Sequence, residues 1–215
     1  MRIEERLLTI AHSGAGWVMW LLLALSVAGL AVVLERAMVL LGSHDDVARL
    51  KSDLFALLEG GEIDAAKSLL SESPSYEAKV VVAGLSSASR GAEAAEERMA
   101  SEAQFARLAM EKRLGVLGTL GSNAPFVGLL GTVIGIIRAF RALESGGQMS
   151  ARLMSEIGEA LAATAVGLLV ALPAVAFFNF FHGVIGARIS RADALGRELL
   201  AHLKSTSAAG RSAEA

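Results

Sequence analysis

Three stretches of the chain run without a charged residue for longer than a bilayer requires. Residues 14–34 make an uncharged run of 21, with Trp17 and Trp20 near its start and Glu35 and Arg36 closing it. Residues 114–137 and 160–187 are the other two, the last carrying Asn179 and His182 toward its far end. At about 1.5 Å of rise per residue, each exceeds the ~30 Å hydrocarbon core. The pattern predicts three transmembrane helices, the first with an interfacial aromatic anchor. A cleaved signal peptide is the rival reading of the first run. That run is longer than the usual apolar core of about 7–15 residues, and the small residues Ala11 to Gly16 lie on the wrong side of it for cleavage, so a retained anchor is expected. Spans two and three are separated by RAFRALESGGQMSARLMSEIGE, short enough, with its Gly-Gly break, to make them an antiparallel hairpin.

The polar remainder has the periodicity of helices. DDVARLKSDLFALLEGG and EIDAAKSLLSESP read as two short amphipathic helices, ended by Gly60–Gly61 and by the approach to Pro74. From Gly91 to Gly115 no helix breaker occurs, and Met99, Ala103, Ala106 and Met110 recur at three- and four-residue steps. One helix is expected there, running without interruption into the second span. The third span is expected to run on through RISRADALGRELLAHLK on a stripe of Ala192, Leu195, Leu199 and Leu203, and the tail STSAAGRSAEA to fray.

Composition agrees with the membrane class. The 215 residues are 53% hydrophobic with a mean hydropathy of +0.52. With 20 Lys+Arg against 22 Asp+Glu and no basic tract, nucleic-acid binding has no support. No cysteine is present, which excludes thiol chemistry, and the four histidines are too scattered for a metal site, so no metal or other cofactor is expected. Charge orients the spans. Region 42–113, the tail beyond residue 187 and Arg36 share one side and hold fifteen Lys/Arg; the N-terminus and the hairpin hold five. The basic side is expected to be cytoplasmic and the N-terminus outside.

The second span, GVLGTLGSNAPFVGLLGTVIGII, holds six glycines and a proline. Between helices in lipid, close packing rather than apolar burial decides association. Gly128, Gly131 and Gly135, with Gly121 seven residues earlier, make one small-residue groove, and Ala160, Ala163, Thr164, Gly167 and Ala171 repeat the habit in the third span. Such surfaces bring backbones together within the hairpin or between subunits. Pro125 removes a hydrogen bond to the carbonyl of Gly121, which neighbouring helices or polar groups such as Ser122 and Asn123 must offset. Ser122 has no Asp within the spans to activate it, and the one histidine there, His182, stands at the far end of the third, so a structural hydroxyl is expected rather than a protease nucleophile, and the chain is not expected to be an enzyme.

Glu156 and Glu159 stand at the start of the third span, followed by Thr164. An ionised carboxylate at bilayer depth costs roughly 3 kcal/mol on insertion scales, so a buried one points to a watery path; alternatively Glu159 only marks the outer interface. Glu159 and Thr164 are five residues apart, about 140° around a helix. Both touch one pore only if a broad face lines it.

GTLGSNAPFVGLLGTVIGIIRAF followed by EIGEALAATAVGLLVALPAVAFFNFF resembles the paired signature of the MotA/TolQ/ExbB proton channel family, closest to its TolQ/ExbB branch. Three spans rather than four separate it from the flagellar-stator branch. The resemblance implies a homo-oligomeric ring, typically a pentamer, in the bacterial cytoplasmic (inner) membrane. Spans two and three would line a pore holding the helices of an ExbD/TolR-like single-span partner, which supplies an intramembrane aspartate. Thr132, Glu159 and Thr164 match the pore-facing threonine, glutamate and threonine of that pattern. Gly121, Gly128, Gly131, Gly135, Pro125, Gly167 and Pro173 are the expected packing positions.

The expected fold is an all-α membrane protein. Its parts are a periplasmic segment 1–13, transmembrane helix 14–36, helical cytoplasmic region 42–113, transmembrane helix 114–140, periplasmic hairpin 141–156, transmembrane helix 157–187, and a cytoplasmic helix with a frayed tail 188–215. Two functions fit: a subunit that couples proton flow to work on a TonB/TolA-like envelope effector, or a passive scaffold whose grooves only assemble a complex. Nothing in the sequence says which process is served.

Overall fold

The computed structural model describes residues 16–144 and 151–213, with side chains for 16–141, 143 and 153–206. The expected periplasmic segment 1–13 and the Gly146–Gly147 break lie outside the described residues. Those residues form α1 (Gly16–Gly42), α2 (Val47–Glu59), α3 (Ile63–Glu72), α4 (Tyr76–Leu85), a 3-10 turn Ala88–Arg90, α5 (Ala92–Glu111), α6 (Leu114–Glu144) and α7 (Ala151–Ala213). Three helices, α1, α6 and α7, are long and apolar enough to cross a membrane. The fold is all-α, and the chain divides into two compact units: 1–35 with 113–180, and 36–112 with 181–215.

In the first unit α1 contributes Val18 and Leu22, α6 Ala124 and Ile134, and α7 Ala171 to one buried cluster. Facing away from it, Trp20, Leu23, Phe126, Leu129, Leu161, Leu169 and Leu172 are exposed. These helices are apolar nearly all round, as membrane helices are.

The second unit is built like a soluble domain. Asp46 caps α2 by accepting from the amides of Ala48 (3.0 Å) and Arg49 (3.2 Å). Leu50, Leu54 and Leu58 then line one face at four-residue steps, and the helix ends at Gly60–Gly61, where Gly61 takes φ +73°. Ala66 and Leu70 of α3, and Ala78, Val81 and Leu85 of α4, complete a core with Met99 and Ala103 of α5 and Ala192, Leu195 and Leu199 of α7. The expected stripe on α5 is buried, and so is that on α7 as far as Leu199, with Leu203 partly buried. Helix α4, not anticipated from the sequence, is apolar on most sides, so its residues show no clean period. Met99 is wedged between two glycines: a β-carbon would come within 2.6 Å of its sulfur at Gly84 and within 3.1 Å at Gly196.

A charged pair lies deep in this unit. Arg188 of α7 is 4% exposed and Glu77 of α4 is 1% exposed, with Nε 3.2 Å from Oε1. The guanidinium also donates to the Leu40 carbonyl (3.3 Å), the Ser43 hydroxyl (2.7 Å) and the Ser43 carbonyl. One cation thereby serves the Leu40 carbonyl in the last turn of α1 and the Ser43 carbonyl just beyond it. Beside it, Ser73 donates to Asp45 at 2.5 Å and accepts from the Ser75 hydroxyl at 2.9 Å, and Ser75 caps α4.

Two expectations are corrected. The helix expected to run unbroken into the second span is interrupted: Lys112 has ψ 129° and Arg113 has φ +65° before α6 begins. A left-handed backbone at a non-glycine residue costs roughly 1–3 kcal/mol and needs support from outside. That support is tertiary, since the Arg113 guanidinium donates to Glu35 of α1 at 2.6 Å. Arg36 likewise donates to the carbonyl of Ala109 at 3.3 Å, occupying an acceptor at the freed end of α5. The tail expected to fray from Ser205 has helical backbone to Ala213. Ser205 and Thr206 return hydrogen bonds to the His202 carbonyl (2.7 and 3.0 Å), and this alanine-rich segment has only Gly210 against a helix.

Removing one partner of the buried pair strands the other. Arg188→Leu should therefore destabilise the protein by about 3–5 kcal/mol, and Glu77→Leu with Arg188→Leu by distinctly less. Denaturant midpoints in detergent, followed by circular dichroism, measure both. The Ser73 hydroxyl, the main cause, together with the Asp46 amide, holds the Asp45 carboxyl below the usual carboxylate range. Because the folded value is the lower one, its contribution to stability is present above the unfolded value of about 3.9 and is lost as pH falls through the folded one. Ser73→Ala should move the Asp45 titration upward, as read by carboxyl carbon NMR.

Candidate functional site

The site grows from the way α6 and α7 meet. A β-carbon at Gly128 would lie 2.8 Å from the Ala163 carbonyl oxygen and 3.2 Å from the α-carbon of Gly167. One at Gly167 would lie 2.8 Å from the Ala124 carbonyl and 3.0 Å from the α-carbon of Gly128. The two glycines face each other, and what they touch is backbone, which cannot move aside as a side-chain tip can. The same contact continues in both directions: Gly135 faces Ala160 at 2.4 Å, Gly121 faces Val175 at 2.4 Å, and Gly118 faces the Phe178 ring at 3.1 Å. Gly131 meets Ala163 at 2.6 Å and Val18 of α1 at 3.3 Å. Gly118 was not singled out from the sequence; its place three residues before Gly121 is the signal that marks it.

The prolines sit differently. Pro125 is half-buried inside an α6 that is helical from Leu114 to Glu144. Ser122 donates to Gly118 (3.0 Å) and Thr119 (3.2 Å), and Asn123 donates to Thr119 (2.9 Å). Both therefore serve the turn before, and neither reaches the Gly121 carbonyl as the sequence reading asked. Pro173 is exposed on α7 and lines an apolar groove with Gly29 of α1 and Leu120 of α6.

The three polar candidates are all half-buried. Thr164 donates across the seam to the Gly128 carbonyl at 3.2 Å, a polar bond at the closest backbone contact. Thr132, one turn after Gly128, donates to the Leu129 carbonyl of its own helix at 2.6 Å. Glu159 lies elsewhere: its Oε1 is 3.9 Å from the β-carbon position of Gly16 on α1. Thr164 is thus tied to the turn of α6 that precedes Thr132, whereas Glu159 turns toward α1, as the 140° between it and Thr164 requires.

A further polar feature was not paired in advance. Arg138 of α6 meets Glu156 of α7 at 3.0 Å, with side chains 28% and 12% exposed. Opposite charges near the facing ends of two antiparallel spans were the available signal. Among the described residues no group of three or more His, Cys, Asp or Glu is placed to hold a metal.

Comparison with known proteins places this pair of helices. The model of the MotA/TolQ/ExbB proton channel family matches residues 72–194, which include α4, α5, α6 and most of α7. The chain belongs to this family. It is 30% identical to the biopolymer transport protein ExbB of Pseudomonas putida over 220 residues, covering 92% of this chain and 66% of that one. It is 43% identical to the ExbB of Xanthomonas campestris over 91 residues, 42% of this chain and 36% of that one. To a Helicobacter pylori protein named ExbB-like 2 it is 48% identical over 73 residues, 34% of this chain and 49% of that one. The matches thus span from about a third to two thirds of these relatives' lengths. With three apolar helices, this family member is a multi-pass protein of the inner membrane.

The geometry sorts the glycines by what they touch. Gly128→Ala and Gly167→Ala should each lower the yield of assembled protein on native gels severalfold, because the new methyl meets backbone. Gly115→Ala and Gly183→Ala, which have nothing within 4 Å, should leave it unchanged.

Proposed function

We propose that the chain is the ring-forming subunit of a proton-driven motor of the TolQ/ExbB kind. The observation that carries this reading is the span pair α6–α7, which lies within the residues matched to the family and holds Thr132, Thr164 and Glu159. A carboxylate and hydroxyls held at bilayer depth are expensive unless water or a partner reaches them. The subunits are proposed to assemble as a pentamer. An ExbD/TolR-like single-span partner would occupy the ring and bring the aspartate, for no aspartate lies in α1 or α6, and the Asp193 of α7 lies beyond its apolar stretch. A TonB/TolA-like envelope effector would receive the motion.

The role is mechanical rather than enzymatic and uses no cofactor. Protons enter from the periplasm, pass near Glu159, and leave toward the cytoplasm. The basic side of the chain, including the C-terminus, faces the cytoplasm and the N-terminus the periplasm. One charge crossing 100 mV yields about 2.3 kcal/mol, so a stroke draws on several protons.

Glu159→Gln is expected to assemble as the parent does and to lose the energy-dependent task. Collapse of the gradient by a protonophore should change cross-links to the partner in the parent and not in the variant. Unchanged cross-links and effector behaviour in the parent after collapse would show a passive scaffold instead, and full activity of Glu159→Gln would remove Glu159 from the mechanism.

A further inference from the structure

We propose that Glu156 is a second carboxylate of the proton path, taking a proton from the outer aqueous side and handing it to Glu159, an assignment that rests on the role given to Glu159 above. Arg138 holds Glu156 by one oxygen only, with Nη2 3.0 Å from Oε1. The other oxygen, Oε2, is buried and has no hydrogen-bond partner. An unmet charged acceptor in that position is costly, and in native structures such groups answer to a water, an ion or a catalytic task. If the pair served stability alone, it would be a poor device, since a desolvated ion pair is often no better than apolar side chains of the same size.

The backbone keeps Glu156 in place. At this level α6 and α7 are tightly packed: a β-carbon on Gly135 would lie 2.4 Å from that of Ala160 and 3.3 Å from the Glu156 carbonyl oxygen. Ala160 and Ala139 are 1% and 4% exposed. Glu159 follows three residues later on the same helix, a spacing that makes side chains neighbours, and the proposed step places one bridging water between the two carboxylates. Arg138 is paired with only the first of them. A proton arriving at Oε2 neutralises Glu156. The new O–H bond then breaks as another forms on the Glu159 carboxylate, through the bridging water, and Glu156 returns as an anion to its ion pair. No charge or atom is gained in the step, and the proton continues along the path assigned to Glu159.

The test uses the complex isolated from its native membrane through a tag on this chain and reconstituted in liposomes, with proton uptake read by a pH-sensitive dye under an imposed potential. Glu159→Gln is the reference: if it conducts as the parent does, the underlying reading has failed and this inference falls with it. With Glu159→Gln inactive, Glu156→Gln is expected to form normal rings and to lose flux on the order of a hundredfold. Added formate, a small diffusible acid, should restore part of it. Parental flux in Glu156→Gln, or a loss that formate does not relieve, would overturn the assignment and leave a structural ion pair. Glu156→Asp keeps both the charge and the proton site but lengthens the gap, so it is expected to show a larger slowing in D2O than the parent. An unchanged isotope effect would likewise overturn the proposal, whether or not the glutamine variant assembles.

Discussion

Contact between the backbones of α6 and α7 is the constraint on which the first unit depends. Lipid offers no reward for burying leucine against leucine, so helices there hold together by how near they come. Gly128 against Gly167 removes both side chains from the seam and lets a threonine on one helix bond to a carbonyl on the other. Three polar residues inherit their positions from that approach. Thr164 is fixed by it directly, Thr132 sits a turn beyond it, and Glu156 is pinned where Gly135 meets Ala160.

The second unit obeys another rule. Its core is assembled from leucine, valine and alanine in the manner of a water-soluble domain, where apolar burial contributes about 25 cal/mol per Å². At its centre Arg188 binds Glu77, the Ser43 hydroxyl and the carbonyls of Leu40 and Ser43 at the end of α1. A buried cation with several acceptors fixes geometry more firmly than it adds stability. It ties α7 to α4 and to the end of α1, three segments far apart in sequence.

Much of this was legible before any coordinates. Uncharged length gave the three apolar helices, three- and four-residue spacing gave the buried stripes on α5 and α7, and the glycine interval marked the face of α6 that meets α7. What escaped has a common cause: it is set by partners distant in sequence. The break at Lys112–Arg113 carries no glycine or proline and exists because Glu35 reaches Arg113. Helix α4 shows no period because it is covered on most sides. The partnership of Arg138 with Glu156 needed the hairpin to close. Of the candidate site, residue identities could be read from pattern and resemblance, but the turning of Glu159 toward α1 rather than toward Thr164 could not.

Met99 sits with its sulfur pressed toward Gly84 on one side and Gly196 on the other. A thioether suits that slot because it is slim, deformable and apolar. Oxidation to the sulfoxide would add a polar oxygen where neither neighbour has a side chain to withdraw or a donor to offer. The packing that makes this core compact also makes it chemically fragile, so a single peroxide event at one atom would loosen α4 from α5 and α7 together.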